Sequence, residues 1–114
     1  MRIYHNPACG TSRAVLTRLR EAGVEPEIVE YLKTPPTLST LRQLHTLLGV
    51  PVREMIRDGE TAYKELDLAD PGLTDAELLA AVADNPILLQ RPVIVRDHRA
   101  VIGRQPENVA PLLA

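Results

Sequence analysis

A chain of 114 residues has the size of one compact domain and buries about two thirds of its unfolded surface, enough to fold without disulfides or a metal. With 45% hydrophobic residues but no Phe or Trp, its core must be aliphatic, and a net charge of −2 excludes a protein built mainly to coat nucleic acid or an anionic membrane. No apolar run approaches membrane-spanning length, and no signal-peptide pattern precedes the first element.

Arg2-Ile3-Tyr4 is short, β-prone and stopped by His5-Asn6-Pro7. From Thr11 or Ser12 to Ala22 the pattern predicts a helix, with Val15, Leu19 and Ala22 on one face, Leu16 widening it, and Gly23 at the C-terminal cap. Glu27 to Leu32 reads as a second strand, so the two strands should be parallel and joined by a right-handed crossover. Pro35-Pro36 breaks the chain before a helix from about Ser39 to Leu48, closed by Gly49. A short helix should run from Pro51 through Ile56, and one or two helical turns should lie between Thr61 and Leu68. Thr74-Asp75-Ala76-Glu77 has the capping-box pattern for a helix to about Ala83. Pro92 to Arg96 and Arg99 to Ile102 flank a polar turn and read as an antiparallel hairpin. A final helix follows Gln105, with Pro106 at its tolerated first position. The order predicts an α/β, thioredoxin-like fold: a four-stranded mixed sheet flanked by helices, with a helical insertion after the second strand. Without a repeat or a linker, residues 1–114 are expected to form a single domain.

The chemistry concentrates in His5-Asn6-Pro7-Ala8-Cys9-Gly10-Thr11-Ser12-Arg13, between the first strand and the first helix. Open α/β sheets place ligands at this point, where the first helical amides lack internal partners and favour an anion. A cysteine there has its thiolate stabilised and its pKa lowered. Gly10 permits close backbone approach, Thr11 and Ser12 offer hydroxyl donors, and His5 could donate to the thiolate or to a bound oxyanion. A free cysteine is more often a small buried hydrophobe, but Pro7, Ala8, Gly10 and Thr11 do not compose a core segment. Cys9 is the only cysteine, so it forms no internal disulfide and suits a reducing cytoplasm. His45 and His98 read as surface residues, and the three histidines do not suggest a metal cluster. Spacing removes two alternatives. A low-molecular-weight phosphatase loop needs Arg six positions after the cysteine, where Val15 stands; a dithiol oxidoreductase needs a second cysteine where Ser12 stands.

The segment HNPACGTSR closely resembles the active site of the glutaredoxin-coupled arsenate reductases, and GVEPEIVEYLKTPP, VREMIR, YKEL and NPILLQRPVIV follow that family in order. The resemblance runs from Ile3 to about Pro111. It implies that Cys9 attacks arsenate, that glutathione then adds, and that glutaredoxin resolves the mixed species before arsenite leaves. It also implies that Arg57, Arg91 and Arg104 surround the oxyanion, with Gly10, Thr11 and Ser12 beside it, that His5 assists Cys9, and that Pro92 is the cis-proline facing the nucleophile. Of thirteen basic residues only Lys33 and Lys64 are lysine, and an arginine fork grips oxyanions in two places. At Gln105-Pro106 the sequence departs from relatives that place proline directly after the arginine, and well-studied members continue beyond the position of Ala114. The protein is expected to be a cytoplasmic monomer that binds no cofactor or metal, with arsenate, glutathione and glutaredoxin as partners. Two other readings use the same fold. One is a redox regulator or adaptor that binds RNA polymerase, whose usual Cys-x-x-Cys switch lacks its second cysteine here. The other is a glutathione-dependent thiol reductase.

Overall fold

A computed structural model describes residues 1–113. Its contacts fall into two compact units, one of residues Met1–Thr34 together with the chain from Arg91 onward, the other Pro35–Gln90.

The first unit holds the sheet, of strands β1 (Arg2–His5), β2 (Glu27–Glu30), β3 (Val93–Arg96) and β4 (Arg99–Ile102), in the order β2-β1-β3-β4. β1 and β2 run parallel with His5 opposite Glu30, as the βαβ reading requires. β3 lies antiparallel to β1 with Tyr4 opposite Val93, and the β3–β4 hairpin turns through Asp97 at φ 55°. The mixed four-stranded sheet and its flanking helices are those expected from the sequence. Helix α1 (Gly10–Glu21) places Val15, Leu16 and Leu19 on Ile3 and Ile94, and Val109 and Leu112 from the last helical segment complete this aliphatic core. Ala22 is exposed rather than packed. It ends the helix, and Gly23 follows at φ 82° so that the amides of Gly23 and Val24 reach the carbonyls of Arg20 and Leu19.

β2 stops earlier than expected. The carbonyl of Glu30 accepts from the amides of both Lys33 and Thr34, each at 2.9 Å, so the chain turns at Tyr31 instead of continuing to Leu32. The last helical segment is also two pieces, a 3-10 turn (Pro106–Val109) and α5 (Ala110–Leu113).

The second unit is helical. In α2 (Leu38–Leu48), Thr37 caps the first turn through the Thr40 amide, and Leu41 and Leu44 are buried. In α4 (Asp75–Asp84) the expected capping box is complete between Thr74 and Glu77. Leu78, Leu79 and Val82 line its buried face, which packs on α2. The segment expected as a helix from Pro51 is a 3-10 turn (Val52–Met55), and α3 covers only Thr61–Glu65. A second 3-10 turn (Pro86–Leu88) is tied back by Arg57 N–H to the Leu88 carbonyl at 2.7 Å and by an isolated bridge between Ile56 and Leu89.

Candidate active site

Cys9 is the N-cap residue of α1: its backbone is extended at φ −95° and ψ 122°, and its carbonyl accepts the Arg13 amide at 3.0 Å. The approach to it is locked by its own sequence. The Asn6 side chain accepts from the Ala8 amide at 3.0 Å, the Asn6 carbonyl accepts from the Cys9 amide at 3.0 Å, and Arg13 Nη1 donates to the Pro7 carbonyl at 2.9 Å. The sulfur is thus fixed at the point where the first-turn amides converge. As a thiol it makes no cap hydrogen bond, but a charge on it is stabilised by the Ser12 and Thr11 amides.

Burial pushes the Cys9 pKa up, and a hydrogen bond from Arg91, the Ser12 amide, the Arg91 charge and the Thr11 amide together outweigh it. The net result is a thiol pKa below its ordinary value, so the group carries more thiolate character than a free cysteine. The half-buried Arg91 stands immediately before β3, joined to Pro92 by a cis peptide bond at the position the resemblance indicated. Gly103 closes the space beside that proline. Its amide donates to the Pro92 carbonyl at 2.7 Å, and a Cβ there would meet Ile94, Pro92 and Val15 at 2.9 to 3.1 Å.

His5 and Ser12 are buried and hydrogen-bonded to each other at 2.6 Å between Nδ1 and Oγ. The Asn6 amide donates to the same Ser12 oxygen at 3.1 Å. The Ser12 hydroxyl therefore faces inward, and Ser12 meets the sulfur with its backbone amide. Nδ1 of His5 is directed at Ser12 and not at Cys9. Burial chiefly lowers the His5 pKa, with smaller contributions from Glu30 in the opposite sense and from Arg20 and Arg13 in the same sense. His5 therefore takes up a proton less readily than a free imidazole.

The remaining predicted residues are placed as follows. Gly10 is exposed at the first position of α1, beside the Arg13 guanidinium, and Thr11 is half-buried on the next position. Arg104 is exposed in the bend after β4. Arg57 belongs to the helical unit, where its Nε pairs with Glu60 at 3.1 Å. Two further residues reach the site without having been singled out in the sequence. Asn6 organises the loop, and Tyr31 lies wholly buried with Arg91 and Asn6 facing its phenol. The signal for both was the parallel pairing of β1 with β2, which carries the residues after His5 and Glu30 off the same end of the sheet.

Among the described residues, no group of three or more His, Cys, Asp or Glu could hold a metal ion, and no helix is long and apolar enough to cross a membrane.

Residues 4–112 match the ArsC family. The chain is 44% identical over 114 residues to the arsenate reductase of Neisseria meningitidis, covering 99% of this chain and 97% of that protein. It is 48% identical to the uncharacterized protein YfgD of Escherichia coli, covering 99% of this chain and 96% of YfgD. Among solved structures, the arsenate reductase from Vibrio cholerae superposes with a TM-score of 0.94 at 43% identity, covering 97% of each chain.

Proposed function

The chain belongs to the ArsC family, and on that premise we propose that it reduces arsenate to arsenite with Cys9 as the nucleophile. One observation carries the reading: the single cysteine caps the first helix where two amides and Arg91 stabilise its thiolate. The same donors suit a tetrahedral oxyanion, because they are already oriented when charge develops during attack. Relatives named arsenate reductase, alike over nearly the whole chain, support arsenate as that oxyanion.

In the proposed cycle the thiolate attacks arsenic and expels water, leaving a thiol-bound arsenate. Glutathione displaces a second water. A glutaredoxin thiol then attacks the glutathione sulfur, so that the two thiols supply two electrons, arsenic falls from the +5 to the +3 state, and arsenite is hydrolysed from Cys9. Only one protein cysteine is needed, and the chain has one. Arg91 holds the thiolate and the oxyanion, and the resemblance assigns Arg57 and Arg104 to the oxyanion as well. Gly10, Thr11 and Ser12 supply the backbone cradle, while His5 acts through Ser12 as a positioning residue. A lone thiolate working with glutathione suits a reducing cytoplasm.

The coupling is tested by arsenate-dependent NADPH oxidation with two reductant systems. Turnover with glutathione, glutaredoxin and glutathione reductase, and none with thioredoxin and its reductase, is expected. Turnover with thioredoxin alone would overturn the glutathione step.

A further inference from the structure

Asn6, Tyr31 and Arg91 come from three parts of the chain and meet through strand register. Because β1 and β2 are parallel with His5 opposite Glu30, the next residues, Asn6 and Tyr31, emerge side by side beyond the strand ends. Continuing the antiparallel β1–β3 register past Tyr4 and Val93 brings Arg91 to the same end of the sheet. Tyr31 is 0% exposed, and its phenol oxygen is sealed from solvent with no hydrogen-bond partner within bonding distance, while Arg91 and Asn6 are the polar side chains that act on it.

A phenylalanine would fill the same space without burying a hydroxyl, so packing alone gives no reason for that oxygen. A guanidinium can only donate, which makes the phenol oxygen an acceptor toward Arg91 and turns its proton away from it. We propose that Tyr31 is a positioning residue whose hydroxyl oxygen accepts from the Arg91 guanidinium and holds it against the Cys9 sulfur and the bound oxyanion. The role rests on the reading of Cys9 as a thiolate nucleophile and operates through Arg91.

The test is the pH dependence of Cys9 alkylation by iodoacetamide in the wild type, Tyr31→Phe, Arg91→Ala and the double variant, with a thermal melt of each. Tyr31→Phe is expected to melt no lower than wild type and to raise the alkylation midpoint by about half a unit, roughly a threefold loss of thiolate below the midpoint. In the Arg91→Ala background the same change is expected to add nothing. An unchanged midpoint in Tyr31→Phe, or an equal rise with Arg91 already absent, would overturn the proposal while leaving a low-pKa Cys9 standing. A Tyr31→Phe protein that melts far below wild type would overturn it too, by making the hydroxyl a structural element of the core. A wild-type midpoint at or above the ordinary cysteine value would instead remove the thiolate reading on which the proposal depends.

Discussion

Ser12→Ala removes a hydroxyl that two buried groups share. Ser12 is 0% exposed, and its oxygen meets His5 Nδ1 at 2.6 Å and the Asn6 amide at 3.1 Å. Alanine leaves the α1 backbone unchanged, so the Ser12 amide should still face Cys9. What changes is that an imidazole nitrogen and a backbone N–H, both in buried residues, lose their partner. Each such orphaned group costs about 1–3 kcal/mol. The hydroxyl's own burial is relieved by about 1–2 kcal/mol, so the net loss should be about 2 kcal/mol. For a domain whose total stability is about 5–15 kcal/mol, that is a large fraction. Urea unfolding followed by far-UV circular dichroism at pH 7.5 measures it, with an unchanged m-value as the control that the unfolded state is the same. A loss below about 0.5 kcal/mol would refute the reasoning, because the His5–Ser12–Asn6 network would then not be holding the loop against the helix.

Other substitutions probe the remaining parts of the site. Arg91→Ala should raise the Cys9 alkylation midpoint by about one unit, since it removes both a hydrogen bond and a nearby positive charge; an unchanged midpoint would refute the assignment. Gly103→Ala should destabilise by about 1–3 kcal/mol, because its methyl would overlap Ile94, Pro92 and Val15; a thermal melt equal to wild type would show that the neighbours give way without cost. Stability should also fall as the medium becomes acidic. The folded-state pKa of His5 is depressed from 6.5, so below that value the unfolded chain binds a proton that the native chain does not. Its contribution is therefore present above pH 6.5 and lost as pH drops toward the folded value. Urea midpoints between pH 7.5 and 5 should decline in wild type and decline less in His5→Gln.

Cys9 could be singled out in the sequence because its signal is local. A cysteine followed by Gly-Thr-Ser at a strand-to-helix junction needs only helix-terminus chemistry to be recognised. Arg91 is different. Among eleven arginines nothing local marks it, and only the placement of β3 beside β1 brings it to the sulfur, so family resemblance identified it where pattern could not. Tyr31 falls inside the strand expected over Glu27 to Leu32, and the structure buries it wholly just beyond the end of β2. Its place at the site comes from the early end of β2 at Glu30, a turn set by backbone hydrogen bonds that side-chain periodicity does not record. The inward rotation of the Ser12 hydroxyl was likewise invisible, because a serine in a first helical turn can face either way.

Arsenate reduction is proposed to proceed through a Cys9 thiolate adduct, with glutathione and glutaredoxin supplying the electrons. Its most direct test is arsenite formation, measured as product, by wild type and Cys9→Ser with arsenate, glutathione and glutaredoxin. Arsenite from the wild type and none from a folded Cys9→Ser protein is the expected result. Equal arsenite from both, or none from a folded wild type whose Cys9 is alkylated as a low-pKa thiolate, would contradict it.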